Sequence, residues 1–112
     1  MNIQTSKESS VMVVKVTGRL DAVTAPEYER QFTLLITDGE TRFVVDFEKL
    51  DYISSAGLRV LLATAKHIKA KSGQIHLANI GGAVKEVFDI SGFGSIFPMH
   101  ESVASALNAT VG

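Results

Sequence analysis

The sequence predicts an α/β fold with a small, mainly parallel sheet and about four helices. Three observations carry that reading. Short β-branched runs alternate with amphipathic stretches of ten or more residues. The run Phe43–Phe47 is apolar almost throughout, as a central parallel strand covered on both faces is. Glycines fall at the ends of the amphipathic stretches, where helices stop.

The elements follow in order. Asn2–Ser6 reads as a short edge strand and Lys7–Ser10 as a polar turn. Val11–Thr17 is β-branched and apolar, the pattern of a strand buried on most of both faces, and Gly18 ends it. Thr24 and Glu27 have the spacing of a capping box, with Pro26 in the first turn of the helix that they open. Tyr28, Phe32, Leu35 and Ile36 supply its apolar face, and Gly39 stops it. After Phe43–Phe47 and a trailing segment Leu50–Ser54, a second helix begins near Ser55, with Leu58, Leu61, Leu62, Ala65 and Ile68 as its buried stripe. Gln74–Asn79 alternates as a half-buried strand does. Val84, Val87 and Phe88 mark a third helix that ends near Gly92. Ser95–Phe97 reads as a last strand before Pro98, and Val103, Ala106 and Leu107 as a terminal helix. Such alternation implies right-handed crossovers and one domain spanning 1–112.

Composition narrows the function. The 11 basic and 12 acidic residues leave a net charge of −1, without the basic excess of a nucleic-acid binder. No cysteine is present, which removes thiol catalysis, disulfides and cysteine-ligated metal and suits the cytoplasm. No apolar run approaches the ~20 residues that span a bilayer, and the first residues lack the basic-then-apolar order of a signal peptide. Mixed charges and the lack of a long apolar patch predict a monomer when free.

Phosphate-binding and dinucleotide glycine motifs are absent. His67, His76 and His100 fall in three different elements without metal-ligand spacing, so no metal or cofactor is expected. A hydrolase arrangement of Ser54 or Ser55 with His67 and Asp46 fails on reach: His67 lies roughly 18 Å along the helix from its start. Asp21, Asp46 and Asp51 lie near strand ends, as in a phospho-accepting receiver, but the acidic pair after the first strand and the late Lys-Pro step of a receiver are missing. Gly81 and Gly82 follow a strand and open a helix, either as a tight turn or as a cradle for an anion.

The segment from Asp51 to Leu62 is the most informative. Ser54 and Ser55 stand where a strand hands over to the leucine-striped helix. One is the N-cap. The other is free for function, and a phosphate there is tolerated by the open amides and dipole of the first turn.

These residues resemble the STAS domain, the anti-sigma factor antagonist family, over nearly the whole chain. Val16-Thr17-Gly18-Arg19-Leu20-Asp21 is similar to the family's strand ending in Gly-x-Leu-Asp. Val44-Val45-Asp46-Phe47 and Leu50 through Leu58 are similar to its central strand and phosphorylation loop. Val84 through Phe93 is similar to its late helix, Val-x-x-x-Phe-x-x-x-Gly-Leu/Phe.

The resemblance implies a non-enzymatic module of bacterial partner switching. Such a protein binds an anti-sigma factor that is also a serine kinase of the GHKL ATPase type. It is released when that kinase phosphorylates it, and a PP2C-type phosphatase resets it. Sporulation-type members read Asp-Ser-Ser/Thr-Gly, with the acceptor directly before glycine. Aligned on Gly57, that position holds Ala56 and the Asp is replaced by Ser54. The acceptor is then Ser55, in the middle of the helix-start turn, or Ser54, or the switch is absent. Asp21, Ser54, Ser55 and Arg59 are the expected partner-binding rim. Two other readings stay open: a scaffold subunit that is not phosphorylated, such as one serving a lipid-transport complex, and a small-molecule or nucleotide sensor using Gly81-Gly82.

Overall fold

The computed structural model describes residues 1–110. Six strands and four helices appear: β1 (Asn2–Glu8), β2 (Val11–Leu20), α1 (Ala25–Thr37), β3 (Arg42–Asp46), β4 (Leu50–Ile53), α2 (Ser55–Ala70), β5 (Gln74–Ala78), α3 (Gly82–Ser91), β6 (Met99–His100) and α4 (Val103–Thr110). The sheet runs β1-β2-β3-β5-β6, with β4 alongside the far end of β2. Only β1 is antiparallel to its neighbour; every other pairing is parallel.

Residue parity divides β2 between two cores, as its apolar run requires. Val14 and Val16 join Phe43, Val45 and the buried faces of α1, α2 and α3 in the larger core. Val11 and Val13 join Val44, Ala78 and Ala106 of α4 on the opposite face. That second layer is incomplete: an open groove of about 690 Å³ runs beside α4, lined by Ser6, Lys15, Asp46, Val103 and Leu107 among others.

Four local expectations are corrected. β1 continues to Glu8, because Lys7 and Glu8 stay in register with Met12 and Val11; the turn is confined to Ser9 and Ser10. β2 does not end at Gly18. That glycine adopts φ +101°, the pairing with β4 shifts register there, and the strand runs on to Leu20. A bulge of this kind re-aims a strand, and positive φ suits glycine. The late strand is Met99–His100 and not Ser95–Phe97. Pro98 has no N–H to donate, its carbonyl takes the Leu77 amide, and the ladder begins beyond it, while Phe93–Ser95 coil into a 3₁₀ turn. The capping box does not form. Thr24 occupies the N-cap position, but its hydroxyl donates to the Arg19 carbonyl at 2.9 Å. Glu27 turns to Arg30 and Gln31 instead.

The stripe of α2 is buried at Leu58, Leu61, Ala65 and Ile68; Leu62 is half-buried at its margin. Tyr28 and Phe32 of α1 stack at 4.6 Å between ring centroids, and Phe32 meets Phe43 of β3 at 5.4 Å. The Tyr28 hydroxyl is buried without a hydrogen-bond partner, and burial pushes the phenol well above its usual pKa. The neighbouring Thr64 hydroxyl donates to the Leu61 carbonyl at 3.0 Å, and its effect on the phenol, opposite in sign to that of burial, is the smaller one.

The histidines His76 and His100, remote in sequence, meet across β5 and β6. His76 Nδ1 lies 2.9 Å from His100 Nε2, and Gln74 Oε1 lies 3.3 Å from the other His76 nitrogen. Burial lowers the His76 pKa, and electrostatic repulsion from the neighbouring His100 ring lowers it further.

The first turn of α2 is set on the end of β2. A Cβ on Gly57 would collide with the Leu20 carbonyl oxygen and stand 2.8 Å from Ile53 Cγ1. The Ser54 amide donates to that same Leu20 oxygen at 3.0 Å.

Three outcomes are expected. Gly57→Ala destabilises the domain by about 2 kcal/mol in urea unfolding, because backbone has to move to admit the methyl. Tyr28→Phe is neutral or stabilises by up to about 1 kcal/mol in the same measurement, since it deletes an unpaired buried hydroxyl. The third concerns pH. Folding favours neutral His76, so its contribution is complete above the usual histidine value of 6.5 and is lost as pH falls below it. The melting temperature therefore declines from about pH 7.5 to about pH 5.5, and His76→Gln flattens that decline.

Candidate functional site

Leu20 ends β2 and Ile53 ends β4, so both chains leave the sheet at its carboxyl edge, where ligands of open α/β sheets collect. The hydrogen bond from the Ser54 amide to Leu20 holds the two exits together. It thereby brings the Asp21–Thr24 loop beside the two serines.

The serines are not equivalent. Ser54 is the N-cap of α2: its backbone is extended, its hydroxyl accepts from the Gly57 amide at 3.3 Å, and it is half-buried. Ser55 is the first residue of the helix and is exposed. Arg59 lies one turn further on the same helix and is also exposed. It lines a shallow groove of about 430 Å³ between α1 and α2 with Ala56, Pro26 and Glu29.

Asp21 organises its own loop. Its Oδ1 accepts from the amides of Val23 at 3.0 Å and Thr24 at 3.2 Å, and its amide donates to the Thr24 hydroxyl at 2.9 Å. The Thr24 amide first, then the Val23 amide, the Thr24 hydroxyl and Arg19 hold its carboxyl below the usual value. The folded pKa is depressed, so the loop favours the ionised carboxylate. Asp21 therefore works as a clamp, with Oδ2 turned to Arg19 Nε at 3.5 Å.

The sequence reading did not single out the platform next to it. Arg19 and Tyr52 are register partners on β2 and β4, and the guanidinium sits 4.2 Å from the Tyr52 ring centroid. Val23 projects from the loop tip and is 88% exposed. An aromatic residue inside the serine motif was the available signal, but its partner depended on the bulge at Gly18.

The other candidates lie elsewhere. Gly81 and Gly82 precede α3, with Gly82 at φ +56°. The cavity they border, about 430 Å³, is also lined by Glu48 and Asp51, whose charge opposes an anion. Asp46 accepts from the Asn79 side chain and the Glu48 amide, both at 3.0 Å. His67 is exposed along α2. No group of three or more potential ligand side chains forms a metal site among the described residues, and no helix there is long and apolar enough to cross a membrane.

Comparison with known proteins follows this geometry. BtrV of Bordetella bronchiseptica, named as a candidate anti-sigma factor antagonist, is 38% identical over 109 residues, spanning 97% of this chain and 94% of that protein. The crystal structure of an anti-sigma factor antagonist from Mycobacterium paratuberculosis superposes with a TM-score of 0.89 at 26% identity, covering 99% of this chain and 94% of that one. The phosphorylated form of the Bacillus cell fate determinant SpoIIAA shares the fold, with a TM-score of 0.72 at 22% identity over 96% of this chain and 98% of its own. The STAS domain profile matches residues 2–106. With that match spanning nearly its whole length, the chain belongs to the STAS domain family.

Proposed function

We propose that this protein is an anti-sigma factor antagonist of a bacterial partner-switching system, working by binding and not by catalysis. Its partner is an anti-sigma factor with serine kinase activity of the GHKL ATPase type, and its rim is Asp21, Ser54, Ser55 and Arg59 with Val23 and Tyr52. The kinase transfers the γ-phosphoryl group of ATP to Ser55 Oγ; the P–O bond to ADP breaks, and the hydroxyl proton passes to a base of the kinase. A PP2C-type phosphatase hydrolyses the ester and restores the binding form. The free domain is a cytoplasmic monomer.

The observation that carries this reading is the division of labour between the serines. Ser54 is consumed as the N-cap, whereas Ser55 is exposed in the same turn. A phosphate on Ser55 meets first-turn amides that have no intrahelical acceptor, so the fold tolerates it. At the docking rim it adds about −1.5 to −2 charges, and a loss of about 1.4 kcal/mol lowers affinity tenfold. The 38% identity to a candidate antagonist and the phosphorylated state of SpoIIAA support the same role.

The test uses a cognate kinase and ATP, with mass spectrometry and calorimetry. One phosphate is expected, on Ser55, with partner affinity falling at least tenfold. Ser55→Ala stays folded, takes no phosphate and binds constitutively. Phosphate on Ser54 alone would overturn the division of labour, and unchanged affinity after phosphorylation would overturn the switch. Light scattering that shows a dimer at low micromolar concentration would overturn the monomer.

A further inference from the structure

Arg59 stands four residues after Ser55 on α2, and both are exposed. Helix residues four apart are surface neighbours, and an acid placed before a base is the favourable order. Helical side chains lean toward the N-terminus, so a long one covers the turn before its own Cα. Arg59 lines the α1–α2 groove beside Ala56, and from there an extended guanidinium can cover the turn that carries Ser55.

That guanidinium is uncommitted. The ion pairs of the described residues are Lys7–Glu40, Arg19–Asp21, Glu27–Arg30 and Lys85–Asp89, and Arg59 is in none of them. Nearby acids are engaged or out of range. Asp21 is clamped by its own loop. Glu27 is held by Arg30 and Gln31, which bring its pKa down to about 2. Glu29 shares the groove with Arg59 without an ion pair to it.

We infer that Arg59 is the internal acceptor for the phosphate on Ser55, pairing its guanidinium with the phosphomonoester in the same molecule. This rests on the reading of Ser55 as the phosphoacceptor. Arginine matches phosphate with two parallel N–H donors, which a lone ammonium does not supply. Phosphorylation then changes the rim twice over: an anion appears, and the cation that an acidic group of the partner would meet is withdrawn.

The experiment installs phosphoserine at position 55 during translation, so no kinase is needed. Phosphorus NMR then follows titration of the phosphate, whose second pKa is ordinarily about 6. In the otherwise native chain it is expected about half a unit lower than with Arg59→Gln, and the difference is expected to vanish near 1 M salt. Circular dichroism verifies that each variant is folded. Equal titration with and without Arg59 would overturn the inference. So would a shift that disappears with Arg19→Gln and persists with Arg59→Gln, since the phosphate would then pair with the Arg19–Tyr52 platform. Failure of the kinase to modify Ser55 would refute the acceptor reading and leave this titration to report on Arg59 separately.

Discussion

The contact between the first turn of α2 and the last carbonyl of β2 sets the rest of the site. Gly57 lets the helix backbone come against Leu20, and the Ser54 amide closes on the Leu20 oxygen from the same turn. With that contact made, the direction of α2 is set, its leucine stripe meets α1 and the sheet, and Ser54 is committed to capping. Asp21 follows Leu20 directly, so its loop inherits the same anchor. A larger residue at position 57 would separate two backbones that share one hydrogen bond, and the serines would lose their fixed relation to the Asp21 loop. The small residue in the motif is thus a structural requirement before it is a functional one.

Much of this was legible in the sequence, and the gaps have physical causes. The α/β alternation, the buried positions Val14, Val45, Ile53, Leu58 and Leu61, and the helix start at Ser54–Ser55 all follow from local pattern. Such patterns depend on one element's periodicity and need no knowledge of its neighbours. The failures arise from contacts between one element and the next. The capping box at Thr24 has the right spacing, yet the Thr24 hydroxyl is claimed by the Arg19 carbonyl across the loop. Whether Gly18 ends a strand or bulges it depends on β4 being there to pair with the continuation. The Arg19–Tyr52 stack and the His76–His100 pair are likewise products of strand register, and residues 33 and 24 positions apart have no local signature.

Charge at the proposed rim is mostly committed within the fold itself. Asp21 is tied to Val23 and Thr24, Glu27 to Arg30, and Arg19 to Asp21 and Tyr52. Such pairing lowers the cost of carrying charge on the surface proposed for docking, because each group needs little reorganisation. It leaves the Val23 side chain and the Tyr52 ring as apolar elements in a polar frame, the usual composition of a recognition patch. Against that background the phosphate proposed on Ser55 would be a large perturbation.

The unequal covering of the sheet bears on how the molecule opens. One face carries α1, α2 and α3 over a continuous core; the other carries only α4, eight residues long, over a handful of small side chains. Local opening follows the distribution of buried apolar contact, and short elements with few such contacts detach first. On that basis the amide hydrogens of α4 and of the two-residue β6 are expected to exchange through sub-global opening, and the hydrogen-bonded amides in the interiors of β2, β3 and α2 only with whole-domain unfolding. The Leu20–Ser54 contact keeps the serine-bearing turn seated on the sheet, while the thinner layer on the far face carries the looser packing.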